Sequence, residues 1–288
     1  MIPLISMIAV VIVILASYAG LGGRLIVLYQ PLELVIIFGC GVLAFIIGNP
    51  WRLVKVSVAK YYRIFRGSKY KKTHYTEILL LQYQIFRLIR QRGVLAMEQH
   101  VENPSESPLF TSFPLVTNDE NLFGFILDTL RIMSMGIDNA HEMEALLDRD
   151  VEKRNYDSKQ AVQSMFTLGD SFPALGIVAA VLGVIKTMGA INEPPEVLGN
   201  YIAGALVGTF LGVLLCYGWF SPLASAAKLM SEEENSIMNS LRDGFLSHLS
   251  GHSPAVSLEF ARKSISVSVR PSFDDIEAAI GELPTVGS

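Results

Sequence analysis

The chain has 288 residues, 51% of them hydrophobic and only 17% charged, with a mean hydropathy of +0.41. Those values exclude an ordinary water-soluble domain, and a net charge of -4 gives no footing for nucleic-acid binding. Only two cysteines occur, Cys40 and Cys216, both inside apolar runs; they exclude a disulfide framework and read as small packing residues.

Four apolar runs reach the roughly 20 residues that a helix needs to cross a bilayer. They fall at 3–20, 32–49, 172–191 and 201–220. The first has no basic stretch ahead of its apolar core, so it reads as a retained signal-anchor rather than a cleaved signal peptide. Between spans one and two the loop offers only Arg24, and INEPPEVLGN between spans three and four offers no cation. Arg52, Lys55, Lys60, Arg63, Arg66, Lys69, Lys71 and Lys72 instead crowd the stretch after span two. The positive-inside rule then puts both termini and the 50–170 region in the cytoplasm and the two short loops outside. Trp51, Tyr217 and Trp219 fall near the inner interface, where aromatic rings settle.

Beyond span two, THYTEILLLQYQIFRLIRQRGVLAMEQHVE has helical spacing across Gly93 and stops at Asn103-Pro104, so one helix is expected. SPLFTSFPLVT reads as a tight, proline-marked connection, and NDENLFGFILDTLRIMSMG as a second helix ending near Gly136. Asp138 is placed to cap a third, DNAHEMEALLDRDVEKRNYDSKQAVQSMF, which runs on into span three. After span four, SPLASAAKLMSEEENSIMNSLRDGFLSHLSG continues as an amphipathic helix, and Ser272 with Asp275 suits a capping box for a short final one. The fold class is all-α: a polytopic membrane protein with four transmembrane helices and a helical cytoplasmic domain. Its expected divisions are 1–50 (spans one and two), 51–170 (cytoplasmic helices), 171–222 (spans three and four) and 223–288 (C-terminal cytoplasmic helices).

Enzyme motifs are missing. The sequence holds no P-loop, no G-x-G-x-x-G and no zinc-ligand spacing, and HEME at 141–144 lacks the second histidine of a zincin, so it reads as a polar helix face. No cofactor or metal is expected. Polar groups inside the spans then matter most. Glu33 and Asp170 lie at span ends, where carboxylates stay wet, and Lys186 is within snorkelling reach of the outer interface. Since no span carries a central carboxylate, an ion-driven role would need a second protein to supply one.

Small residues form two stripes, Gly176, Ala180, Gly183 and Thr187 in span three and Gly204, Gly208 and Gly212 in span four. Such stripes let helices approach closely in lipid. They serve either internal packing of the four spans or a seam holding a partner helix beside Thr209 and Tyr217. Pro173 and Pro222 sit at matching depth, one entering span three and one leaving span four; they read as helix-end markers or as hinges.

GDSFPALGIVAAVLGVIKTMGA and LGNYIAGALVGTFLGVLLCYGWFSPLA together resemble the paired membrane signature of the MotA family of flagellar stator subunits. YQPLELVIIFGCGVLAFIIGNP, MEQHVENPSESPLF, VSLEFARKSI and RPSF extend the resemblance over nearly the whole chain. Four spans favour that branch over the related ExbB and TolQ proteins, expected to have three. The resemblance implies a homopentamer in the bacterial inner membrane, surrounding a MotB-type single-span, peptidoglycan-binding subunit that brings the ion-binding aspartate. It also implies contact with membrane lipid and with the rotor protein FliG. By position, Pro173 and Pro222 match the family's coupling prolines, Thr209 and Tyr217 its pathway lining, and Arg90 and Glu98 its rotor-facing charged pair. Asp150 stands where a further acidic rotor contact is expected. Sodium-driven relatives such as PomA carry threonine at the position of Ala180; alanine offers no oxygen ligand, which implies protons, although backbone carbonyls or Thr209 remain available to sodium. Two rivals stay open: an ExbB/TolQ-like motor serving a non-flagellar task, and a channel or transporter acting alone.

Overall fold

The computed structural model describes residues 2–137 and 139–283, and among them all regular structure is helical. Helix α1 (Ile2–Gly20) is followed by a 3-10 turn (Leu25–Leu28), α2 (Pro31–Gly48) and α3 (Trp51–Arg66). Proline opens α2 at a first-turn position, where its missing N–H costs nothing. The first part of the basic stretch after span two, Arg52 to Arg66, forms α3, a helix with one apolar face.

Next come α4 (Lys72–Arg92), a 3-10 turn (Val94–Met97), α5 (Glu98–Glu102), α6 (Pro108–Thr111), α7 (Pro114–Thr117) and α8 (Glu120–Ser134). The single helix expected across Gly93 is therefore two. Gly93 takes φ of 79°, a left-handed conformation that ends helices, and its N–H closes α4 on the Ile89 carbonyl at 2.8 Å. The proline-marked connection contains two single helical turns, each opened by its proline.

Helix α9 (Ala140–Gly189) runs 50 residues without interruption and carries Pro173 inside it. Asp138, expected to cap it, lies outside the described residues. Helix α10 (Pro195–Val213) leads through a π-helical run, Leu214–Phe220, directly into α11 (Ser221–Leu249). Then α12 (Pro254–Lys263) and α13 (Phe273–Gly281) complete the chain, and the expected Ser272–Asp275 capping box is present at α13.

The chain folds as two compact units. One comprises Met1–Gly67 with Asp157–Met230, the other Ser68–Tyr156 with Ser231–Ser288. Helices α9 and α11 each pass from one unit into the other. Four helical stretches are long and apolar enough to cross a membrane: Ile2–Gly20, Leu25–Gly48, Ala140–Gly189 and Pro195–Leu249. In the first unit α1 buries no residue at all, and its large apolar side chains stand exposed, as suits contact with lipid. The second unit is built around α4, whose Tyr75, Ile78, Leu79, Leu81, Ile85 and Phe86 are fully buried, with α6, α7, α12 and α13 packed against it. The core there is continuous through Phe110, Phe125, Leu241 and Phe245. Cys216 is packed in the first unit's core as expected; Cys40 is exposed on α2.

Candidate functional site

The two small-residue stripes face each other. A methyl group placed on Gly212 would lie 2.5 Å from the Phe172 carbonyl oxygen and 2.9 Å from Gly176 Cα; one on Gly183 would lie 2.7 Å from Ala205 Cβ. One on Gly176 would lie 2.9 Å from the Gly208 carbonyl oxygen. So α9 and α10 touch backbone to backbone, the close approach that small residues permit. Internal packing is thus one use of these stripes, and contacts this short leave no room for a helix between α9 and α10. Thr187 belongs to the same seam and turns its hydroxyl back to the Gly183 carbonyl at 2.9 Å.

Ala180 lies at this seam against Gly208, the chain neighbour of Thr209. Ala180 and Thr209 are both half-buried, and a methyl group on Gly208 would lie 3.3 Å from the Ala180 amide nitrogen. Tyr217 is elsewhere. It sits in the π-helical run, 68% exposed, where with Pro222, Gly218 and Trp219 it borders an open apolar groove of about 570 Å³ that Val10 and Ile14 of α1 also line. The Trp219 indole N–H reaches the Met7 carbonyl at 3.3 Å and ties this turn to α1.

The two prolines share a local sequence context. A proline ring collides with the carbonyl four residues earlier, and in each case that earlier residue is glycine: Gly169 for Pro173 and Gly218 for Pro222. Before Pro222 the chain widens into π-helical turns, a local loosening that relieves such a clash. The two proline sites are brought to one level. Phe172 and Phe220 pack with ring centroids 4.6 Å apart, Phe38 stacks on Phe172 at 6.2 Å, and a methyl group on Gly169 would meet Phe220 Cβ at 3.4 Å.

In the second unit Arg90 and Glu98 are both exposed, on different elements either side of the Gly93 break, and neither makes an ion pair among the described residues. Arg90 stands near His248, whose ring stacks on Phe86 at 4.7 Å; burial, assisted by the Arg90 charge, holds the His248 imidazole below its ordinary pKa and so neutral. Asp150 is differently placed. Both its oxygens accept from Arg154 Nε at 2.9 Å, and Arg154 also donates to Asp128 at 3.3 Å and to the Asn121 carbonyl at 3.2 Å. Asp150 is thus a member of an internal α8–α9 network, whereas Arg90 and Glu98 are presented outward.

The span-end position of Glu33 predicts a wet carboxylate, and the side chain is half-buried with only its Oε2 shut away from water. Its side chain turns along α10, with Oε1 and Oε2 lying 3.3 and 3.2 Å from methyl positions on Gly204 and Gly208. The signal was available in the glycine spacing, which clears a groove wide enough for a carboxylate; no local pattern specified that Glu33 would fill it. Lys186 does not simply snorkel: its ammonium sits 4.4 Å from the centre of the Tyr201 ring.

Residues 4–93 match the motility protein A N-terminal family model, and residues 124–240 match that of the MotA/TolQ/ExbB proton channel family. The chain is 40% identical to Motility protein A of Salmonella typhimurium over 277 residues, covering 96% of this chain and 94% of that one. The same figures hold for Motility protein A of Escherichia coli. Identity to Chemotaxis protein LafT of Vibrio parahaemolyticus is 30% over 278 residues, 96% of this chain and 98% of the relative. Two solved structures share the fold: C. jejuni MotAB, with a TM-score of 0.73, 17% identity and coverage of 94% and 98%, and the flagellar MotAB stator complex from Bacillus subtilis, with a TM-score of 0.66, 22% identity and the same coverage. With two small-residue helices locked together at a pair of proline sites, and with relatives this similar along almost its full length, the chain belongs to the motility protein A family.

Proposed function

We propose that this chain is the stator subunit of a flagellar motor, converting ion flow across the inner membrane into torque on the rotor. It works as a homopentamer around a MotB-type single-span subunit, whose peptidoglycan-binding domain holds the complex still and whose membrane aspartate takes up the ion. Both termini and residues 51–170 are cytoplasmic, in line with the basic side chains after span two. Ala180, Thr209 and Tyr217 line the ion path, Pro173 and Pro222 flex as the ion passes, and Arg90 and Glu98 engage FliG. Asp150 supports that rotor surface through Arg154 rather than by direct contact. Protons are the coupling ion, since Ala180 offers no side-chain oxygen to a dehydrated sodium ion.

The observation that carries the coupling is helical continuity. Span three and the helix before it are one element, α9, and span four passes without a break through the π-helical run into α11. A change of curvature at either proline is therefore transmitted along backbone hydrogen bonds rather than lost in a loop. The energies are commensurate. A monovalent ion crossing about 150 mV releases roughly 3.5 kcal/mol, against about 0.2–1 kcal/mol for an exposed ion pair. One ion suffices to remake a few surface charge contacts.

The test is the swimming speed of flagellated cells lacking their own stators, supplied with this chain and its partner. Speed is expected to survive removal of sodium and to collapse on addition of a protonophore. Dependence on sodium would overturn the ion assignment alone. Absence of motion in every condition, with the complex present in the membrane, would favour the ExbB/TolQ-like reading, which the shared proton channel family model keeps as the alternative.

A further inference from the structure

Glu33 belongs to the first turn of α2, two residues beyond Pro31, where a carboxylate has easy access to water. One of its two oxygens does not take it. The side chain lies along the groove left by Gly204 and Gly208, and Oε2 is buried with no hydrogen-bond partner among the described residues. The Gln30 side-chain amide, which lies against the same Gly204 position, donates instead to the Val27 carbonyl at 3.2 Å. Lys186 of α9 is the charged group within electrostatic reach, and it forms no ion pair with Glu33, resting on the Tyr201 ring of α10. An ionised oxygen left buried and unpaired is expensive, and a proton on that oxygen removes the charge.

The position of that oxygen matters as much as its burial. One methyl group placed on Gly208 would touch both Glu33 Oε2, at 3.2 Å, and the Ala180 amide nitrogen, at 3.3 Å. Glu33 therefore reaches the α9–α10 seam at the level of Ala180 and Thr209, from the end of the spans nearer the two short loops.

We infer that Glu33 is a proton-holding group of the ion path, contributed by this chain and set between the outer water and the partner's aspartate. The step is a simple relay: an O–H bond forms at Glu33 Oε2 with a proton drawn from hydronium in the outer mouth, and breaks as that proton passes through water to the partner carboxylate, leaving Glu33 ionised again. The glycines at 204 and 208 acquire a second purpose beyond helix packing, since a side chain at either would crowd the carboxylate. This inference rests on the stator reading proposed for the chain.

The test uses the complete stator, this chain with its partner subunit, in cells lacking stators. Individual stators are counted as discrete steps in rotation of a lightly loaded motor, across external pH. Wild-type step height is expected to change little between acid and alkaline medium. Glu33→Gln is expected to match it in acid, where protons are plentiful, and to fall several-fold in alkaline medium, with Glu33→Asp recovering part of the loss. A Glu33→Gln loss that is the same at every pH, or no loss at all, overturns the inference, because a packing role has no reason to track proton concentration. Should Glu33→Gln give no steps, infrared spectra of the purified wild-type and Glu33→Asp complexes decide. The partner's aspartate is neutralised in both: a titrating carboxyl band that moves with Glu33→Asp supports the relay, and its absence overturns it. Absence of wild-type steps in every condition sinks the stator reading instead, and the infrared result still stands on its own.

Discussion

Asp119 shows how much one side chain can carry. It caps α8, its Oδ1 accepting the amide N–H groups of Asn121 at 3.1 Å and Leu122 at 3.4 Å, while Oδ2 accepts the Tyr70 hydroxyl at 2.9 Å and pairs with Lys69 at 2.5 Å. Burial acts to raise its pKa, but the hydrogen bonds from Lys69 and Tyr70, with the Lys69 charge, outweigh burial and hold the carboxyl below its ordinary range. Because the native value is depressed, the charge contributes stability in full above the unfolded-state value, and that contribution is lost as pH falls through the native one. Asp119→Ala is expected to cost about 2 kcal/mol, combining a lost cap and lost charge-assisted hydrogen bonds. Thermal unfolding of the purified protein in detergent measures it. Asp119→Asn separates the parts: its deficit should be constant near neutral pH and shrink only on the acid side of the ordinary aspartate range. A deficit unchanged into acid would show that the cap, not the charge, matters.

At the scale of elements the α9–α10 seam is the sensitive joint. Gly212 faces the Phe172 carbonyl and Gly176 with no slack, while a methyl group on Gly199, in the same helix, would meet nothing within 4 Å. Gly212→Ala should therefore destabilise by about 1–3 kcal/mol, the usual cost of overpacking, and lower the amount of protein accumulating in the membrane. Gly199→Ala should leave accumulation unchanged or raised, since alanine is the better helix former by about 1 kcal/mol. Equal behaviour of the two would mean that the helices separate freely. The π-helical run beside this seam has an element-scale cause too. Pro222 offers no N–H to the preceding turn, and the seven residues Leu214–Phe220 take up the misfit.

At the scale of the whole molecule, α9 and α11 are the two covalent helical links between the units, and α9 changes unit between Tyr156 and Asp157. Inserting two glycines there costs roughly 1 kcal/mol of helix propensity for each and rotates the remainder of α9 by about two hundred degrees at 3.6 residues per turn. The expected result is a stator that still enters the motor but delivers little torque, read as rotation steps of near-zero height beside normal recruitment of a tagged copy. Full step height would show that rigid continuity of α9 is dispensable.

Much was legible from local pattern. The span limits at α1 and α2 lie within a residue of those expected, α8 ends where Gly136 turns with φ of 95°, and the Ser272–Asp275 box caps α13. Apolar runs, prolines and caps act within a few residues of themselves, so a linear reading captures them. The rest depended on partners distant in sequence. Gly93 is tolerated by helical periodicity, and only the packing of the Val94–Met97 turn and α5 made it a break. Asp150 matches an acidic rotor contact by resemblance, and only the fold brings Asp128 and the Asn121 carbonyl of α8 to its neighbour Arg154. The glycine stripes announced a close approach without saying to what. The amino-acid sequence by itself determined an all-helical membrane protein with four spans, two proline sites and no central carboxylate of its own. Only the tertiary structure decided that the stripes meet each other and that Glu33 turns inward between them, because which face meets which is settled by packing between residues that lie far apart along the chain.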